Sequence, residues 1–306
     1  MGKALGLALR LLVLLLLVAA SVAAQSKTPT DTFQPWHSLM YRSVLSASVS
    51  PDGSQIAFLR SRPRRPLDDD SGRAWVELYV LDANRREVPF ITGEVNVARP
   101  IWLGDDELAF VARRSGDELR SVYRISTHGG EAQKLFESEF NVGSFDVSPN
   151  GRWLAFLSTE KKDPDLLMLE GKGFNQEIFE ENLPFTMLHL ADLQSGEGPT
   201  DRTVKTLKID GSLRSLRFSP DGQRLLVEVT PTPLVDDALV AQQLHVVALD
   251  GKVIARIESE GKIAQADWSP DGRHIAMVSS LDRNDPAPGR LMLVSADGGI
   301  PRDLLP

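Results

Sequence analysis

The sequence predicts an all-β fold, a β-propeller of about five four-stranded antiparallel blades, and three observations predict it. One stretch, VSPDGSQIAFLRS at 49–61, returns as VSPNGRWLAFLST at 147–159, FSPDGQRLLVEVT at 218–230 and WSPDGRHIAMVSS at 268–280. A degenerate copy, IWLGDDELAFVAR, sits at 101–113 with its turn rewritten. The copies open at residues 49, 101, 147, 218 and 268, so they recur at intervals of 52, 46, 71 and 50 residues. Short apolar runs separated by polar and glycine turns fill each interval, and four short strands at such a period mark propeller blades. A β-sandwich is the alternative, but it would not return the same turn at corresponding places.

Within each copy an apolar residue ends one strand, and Ser-Pro-Asp-Gly supplies the four places of a type I turn. Serine suits the first place, proline fixes φ at the second, aspartate suits the third and glycine accepts positive φ at the fourth. The pattern predicts a hairpin with a three-residue loop ending in a glycine bulge. The second strand leaves along alternating apolar residues, Ile56 and Phe58 in the first copy, Ile275 and Met277 in the last. Third strands are expected at 76–82, 186–193, 244–250 and 291–297. Fourth strands are expected at 87–92, 131–137, 203–209, 252–257 and 300–305. The blades then run 44–93, 97–137, 142–209, 213–257 and 263–306, within one domain at 44–306, as a whole propeller or as part of a larger one.

Length variation falls on the links from second to third strands, at 62–74, 160–185, 231–243 and 281–290. In a four-stranded meander the first and third links emerge at one end of the sheet and the second at the other. The four insertions are therefore expected to crowd one face, opposite the short turns. Variable loops on a rigid scaffold are where binding usually resides. The largest, 160–185, holds Pro164 and the adjacent pair Glu180-Glu181.

Residues 1–24 form a secretory signal pattern: Lys3 and Arg10, an apolar run from Leu11 to Ala20, and Val22-Ala23-Ala24 before Gln25. Cleavage near Ala24 implies a periplasmic or secreted protein without stable membrane insertion. The alternative is a retained signal anchor, for which the apolar run is short. Residues 25–43 read as a polar tail and a lead-in in which Pro35 opens a helical turn carrying Trp36, Leu39 and Met40. The chain has no cysteine, so no disulfide supports the exported domain. Its formal charge of −8, with no basic run, argues against nucleic acid as a partner.

No motif of reaction chemistry is present. G-x-S-x-G, H-E-x-x-H, a Walker loop and a dinucleotide fingerprint are all missing from the sequence. His37, His128, His189, His245 and His274 are scattered. His189 and His245 fall at equivalent places in third strands, where a core or surface role is expected. Asp68-Asp69-Asp70 has no calcium-loop spacing and reads as a solvated acidic loop. Glu180-Glu181 could hold a peptide's amino terminus by charge-assisted hydrogen bonds, but a charged insertion facing water is the reading preferred. No catalytic, cofactor-binding or metal residue is assigned, and no cofactor.

The chain resembles the N-terminal propeller of the prolyl oligopeptidase family of serine peptidases, in particular its acylaminoacyl-peptidase and dipeptidyl-peptidase-like bacterial members. The residues that carry the resemblance are the lead-in from Leu39 to Val44 running into VSPDGSQIAFLRS, the stretch from Gly171-Lys172-Gly173-Phe174 to LPFTMLHLADLQSGE, and PTPLVDDAL at 231–239. The Ser-Pro-Asp-Gly motif by itself is shared with TolB-like propellers. The resemblance spans roughly 33–306 and implies a propeller that caps a C-terminal α/β-hydrolase domain and admits short peptides to a Ser-Asp-His triad. None of the triad has a counterpart in these residues. The chain is thus expected to be the non-catalytic, substrate-gating region of an exported peptidase, truncated before the hydrolase domain, whose partner is that domain or another exported protein. A free-standing TolB-like interaction module is the alternative.

Overall fold

The computed structural model describes residues 33–305 except 177, 179, 260, 261, 281 and 283–288. The signal segment expected at 1–24 lies outside the described residues, as does most of the insertion at 281–290. The chain divides into two compact units. One combines the stretch ending at Tyr41 with Pro63–Gly72; the other combines Arg42–Arg62 with everything from Arg73 onward.

In the small unit, the helical turn expected at Pro35 is present as α1 (Pro35–Leu39), and the Gln34 N–H donates to His37 Nδ1 at 3.1 Å. Proline is favoured at this position because the first helical N–H has no acceptor in the helix. Trp36, Leu39 and Met40 are exposed. The Pro63–Gly72 segment is tied locally: the Arg65 N–H donates to Asp69 Oδ2 at 2.7 Å, and the Arg65 guanidinium faces Asp68 and Asp69 at 3.5 and 3.6 Å. The acidic run at 68–70 is thus partly neutralised by its own segment.

The large unit is a five-bladed β-propeller of twenty strands in five four-stranded antiparallel sheets, each a simple meander. Blade one holds β1 (Val44–Val49), β2 (Ile56–Arg62), β3 (Trp75–Leu81) and β4 (Glu87–Ile91). Blade two holds β5 (Ala98–Trp102), β6 (Glu107–Ala112), β7 (Ser121–Ser126) and β8 (Gln133–Phe136). Blade three holds β9 (Ser144–Val147), β10 (Trp153–Thr159), β11 (Thr186–Asp192) and β12 (Thr203–Leu207). Blade four holds β13 (Ser212–Phe218), β14 (Arg224–Thr230), β15 (Gln243–Ala248) and β16 (Val253–Ile257). Blade five holds β17 (Ile263–Trp268), β18 (His274–Ser280), β19 (Gly289–Ser295) and β20 (Arg302–Asp303).

The repeat fixes the packing. Residues of β10 alternate between two faces, and both are buried: Leu154 and Phe156 meet blade two, Ala155 and Leu157 meet blade four. Apolar side chains on both faces of a second strand are what a sheet packed between two others requires. Four buried clusters result, one in each interface between consecutive blades. Phe110 and Tyr123 face Leu59 and Leu78, and Met277 and Met292 face Leu244 and Val246. Polar ties reinforce the interfaces. The Trp102 indole donates to the Ser48 carbonyl at 3.1 Å, and the Phe218 N–H donates to Asp146 Oδ2 at 2.8 Å. Burial pushes the Asp146 carboxyl above the usual range despite that bond.

The turn differs in one respect from expectation. Glycine does take positive φ at the fourth place, 75°, 69°, 68° and 67° at Gly53, Gly151, Gly222 and Gly272, and each donates its N–H to the serine carbonyl. The loop, however, holds four residues between its closing pair, because the Ser50 N–H donates to the Gln55 carbonyl and the other copies repeat this. The serine hydroxyl explains the extra residue. Ser50 Oγ accepts from the Gln55 N–H at 2.9 Å and donates to Asp52 Oδ1 at 2.6 Å, while Asp52 Oδ1 also accepts the Ser54 N–H at 3.0 Å. The side chain replaces the ladder bond that the longer loop would lose. The expected three-residue loop occurs at the degenerate copy, where the Leu103 N–H donates to the Glu107 carbonyl.

The links are also less uniform than expected. In blade three the third link is not a tight turn but runs from 193 to 202, and its Pro199 carbonyl accepts the Glu137 N–H of blade two at 3.0 Å. The second links of blades three and four do carry structure: α2 (Pro164–Gly171), capped by Asp163, which accepts the Asp165 N–H at 2.8 Å, and α3 (Val235–Val240). The link at 62–74 falls largely in the small unit. No helix among the described residues is long and apolar enough to cross a membrane.

Candidate functional site

A cavity of about 330 Å³ opens within the large unit, at the end of blades two to four where the second links emerge. Its wall is made by strand ends. Arg99 comes from β5, Arg120 precedes β7, and Asn141 to Ser144 lead into β9. Leu157, Ser158 and Thr159 close β10, Thr186 opens β11, and Leu213 and Arg214 belong to β13. Thr159 and Thr186 are the two feet of the 160–185 insertion, which is pinned above them by the Glu160 N–H donating to the Phe185 carbonyl at 2.8 Å.

The local backbone explains why these groups converge. The β5 register shifts between Ala98 and Ile101, and within that bulge Arg99 sits at φ 52°, a left-handed conformation costly for any residue with a Cβ. Bulges re-aim side chains. Arg120 is held by its N–H, which donates to Asn141 Oδ1 at 3.0 Å. Gly143 brings β9 close to β10: its N–H donates to the Leu157 carbonyl at 2.8 Å, and a Cβ there would meet that oxygen at 3.3 Å. The Thr186 N–H donates to Ser212 Oγ at 3.1 Å, which seals blade three to blade four.

The charge of the cavity is one-sided. Its wall carries three arginines and no aspartate or glutamate, in a chain whose formal charge is −8. Arg214 faces Glu228 at 3.3 Å. Arg99 and Arg120 have no ion-pair or side-chain hydrogen-bond partner among the described residues. Burial holds the Arg120 guanidinium below its ordinary value, and the charge of Arg99 adds to that.

Behind the wall lies a polar pair that resembles a nucleophile and its base. Ser158 Oγ and His189 Nε2 are 2.9 Å apart, and His189 Nδ1 is 2.9 Å from Thr206 Oγ1. His189 is fully buried, stacked between Phe140 and Phe156 with ring centroids 4.5 and 4.8 Å away, and burial pushes its pKa down to about 4. The ring's second nitrogen meets a neutral hydroxyl, where a serine triad places a carboxylate to stabilise the imidazolium. The pair is a satisfied polar network inside the interface.

His245 occupies the matching place on β15, also buried with its pKa lowered by desolvation, and sits 3.3 Å from Gln243 Oε1. Of the core or surface role expected of these two histidines, the buried position is the one both occupy. His128 is exposed beside Asp106 at 3.4 Å, and His274 lies on the surface. Glu180 and Glu181 are exposed in the insertion, Glu180 at φ 63°, and neither lines the cavity. No group of three or more His, Cys, Asp or Glu residues placed to hold a metal occurs among the described residues. The arginine cavity was not legible in the sequence, since its residues come from three blades and none belongs to a motif. The one available signal was Arg99-Pro100 inside a strand that should alternate.

No protein-family model matches the chain. Over 219 residues, 67% of its length, it is 26% identical to the uncharacterized peptidase YuxL of Bacillus subtilis, and it spans about a third (32%) of that protein. Among solved structures, a puromycin-hydrolyzing peptidase of Mycobacterium tuberculosis matches with a TM-score of 0.57 at 13% identity, covering 86% of this chain and 39% of that one. TolB from Acinetobacter baumannii matches with a TM-score of 0.53 at 18% identity, covering 83% of this chain and 53% of that one. The structural likeness is one of fold: the propeller is of the kind found in TolB and in puromycin-hydrolyzing peptidases.

Proposed function

We propose that these residues are the propeller portion of a longer exported serine peptidase of the prolyl oligopeptidase family, in which they cap a C-terminal α/β-hydrolase domain and restrict entry to short peptides. The observation that carries this reading is the 26% identity to a peptidase across two thirds of the chain, which spans only a third of that peptidase. The face with the second links is the side offered to the hydrolase domain. Leu167, Met168 and Phe174 stand exposed on the 160–185 insertion there, and α2 buries none of its side chains. Apolar residues left in water on one insertion favour a partner that covers them. Export follows from the signal pattern, with cleavage near Ala24 releasing the protein to the periplasm or medium.

The experiment is to read the coding DNA past the Pro306 codon. The reading expects an open frame that runs on to a G-x-S-x-G coding stretch. A stop codon with no hydrolase following would favour the second reading, a TolB-like interaction module, which the match to TolB over 83% of this chain supports. In either case the chain as given should turn over no acylpeptide or aminoacyl chromogenic substrate. Mass spectrometry of the exported form should find Gln25, or a residue within one or two of it, at the amino terminus. Retention of Lys3 and Arg10 would mean a membrane anchor.

A further inference from the structure

We propose that the cavity between blades two, three and four binds a carboxylate, and that its natural occupant is the C-terminal carboxylate of a short peptide. Arg120 is half-buried without a counter-ion, and charge taken from water demands a partner, while Arg99, exposed at the wall, adds a second positive charge. The fold has partners to spare, since acidic residues outnumber basic ones 42 to 34, and nearby Arg214 has taken Glu228. Arg99 and Arg120 have none among the described residues. Arg99 is also held at φ 52° within a bulge, and a strained backbone at a cavity wall is a cost the surrounding structure must over-determine. An incoming oxyanion would supply the counter-charge that Arg120 lacks.

The chemistry selects a carboxylate. Arginine presents paired N–H donors in a planar fork that matches two carboxylate oxygens. Around the fork, the Ser144, Thr159 and Thr186 side chains and the strand-end backbone supply neutral donors and acceptors suited to a peptide group. About 330 Å³ is at the small end of ligand cavities and accommodates the last one or two residues of a peptide rather than a folded chain. The carboxylate part of this assignment stands on the cavity alone; the peptide part rests on the peptidase reading.

The test is calorimetric titration of the purified chain with acetyl-Ala-Ala as the free acid, with the same dipeptide as its C-terminal amide, and with inorganic phosphate. The free acid should bind at least tenfold more tightly than the amide. Arg99→Gln and Arg120→Gln should each weaken the acid by about tenfold, whereas Arg113→Gln, outside the cavity, should not. The acid–amide comparison uses the unaltered chain, so a poorly folding variant does not spoil it. Equal binding of acid and amide, or no heat from either at millimolar concentration, would overturn the proposal. Phosphate bound more tightly than the acid would overturn the peptide assignment in favour of an inorganic anion. Acid-selective binding by a chain whose gene carries no hydrolase would uphold the carboxylate site and remove the peptidase reading. A hydrolase downstream with no acid binding would do the reverse.

Discussion

Blade one and blade two present the same residues on their leading faces and meet different fates. In blade two, Leu108 and Phe110 are 0% exposed because blade one covers them. In blade one the corresponding Ile56 and Phe58 are only half-buried, and Val49 beside them on β1 is 58% exposed. The far end mirrors this. Leu244 on the trailing face of blade four is 2% exposed, while its counterpart Leu291 on blade five is 41% exposed and Val278 is 38% exposed. Among the described residues four buried clusters join five blades, and none joins the fifth to the first. A repeat therefore specifies a face, and only a neighbour makes that face a core. Stability in such an array is a sum of blade and interface terms, and among the described residues each end blade shares in one buried cluster where an interior blade shares in two.

The largest effect should separate these two kinds of face. Phe110→Ala removes a ring from a sealed interface and should cost about 3–5 kcal/mol, whereas Phe58→Ala on the open face should cost about 1 kcal/mol. Urea denaturation followed by tryptophan fluorescence measures both, and equal costs would mean that blade one is covered in solution.

A second test uses pH, because an interior interface buries a histidine and the open ends do not. The folded pKa of His189 is lowered to about 4 from an ordinary value near 6.5. The unfolded chain therefore takes up the proton first as pH falls. Stability from this group is full above pH 6.5 and declines between 6.5 and about 4, by up to about 3 kcal/mol. His189→Gln should flatten that slope. A wild-type slope that survives the substitution would assign it elsewhere, and His245, also lowered, is the first alternative.

The smallest effect should be the same everywhere, because the bonds of the serine hydroxyl lie within its own turn. Ser50→Ala in an end blade and Ser219→Ala in an interior blade should each cost about 1 kcal/mol, as each leaves one strand N–H without its hydroxyl acceptor. The serine hydroxyls beside Asp52, Asp221 and Asp271 hold their carboxyls below the usual range, Asp52 at about 2. Their contribution is present above the unfolded pKa near 4 and lost only as pH falls toward 2, so it is separable from that of His189. A turn substitution that proved several-fold costlier in blade four than in blade one would show the turns to be coupled to the interfaces.

Much of this architecture was legible because period and turn chemistry are local. Ser-Pro-Asp-Gly, or Ser-Pro-Asn-Gly in blade three, located the first hairpin of every blade but the second, and alternation such as Ile275 and Met277 set the strand faces. What was missed depends on contacts between distant residues. The fourth loop residue follows from a hydroxyl reaching five residues along the chain, as Ser148 Oγ does in accepting the Trp153 N–H at 2.8 Å. The long third link of blade three, at 193–202, follows from docking against Glu137. The cavity combines Arg99 and Arg120 of blade two with Arg214 of blade four, and no spacing rule joins residues that a propeller brings together around its inner strands.

The open ends can be read directly, because the chain has no cysteine of its own. Single substitutions Val278→Cys and Leu291→Cys on blade five, and Leu157→Cys and Leu244→Cys at matching interior positions, would each carry one thiol for alkylation by iodoacetamide under native conditions. The blade-five thiols should react within roughly tenfold of a free thiol, while the interior ones should react more slowly by about a hundredfold or more, at a rate set by opening of the interface. Interior-like protection of Val278→Cys and Leu291→Cys at low protein concentration would contradict this, since blade five would then be sealed against another face of the same chain.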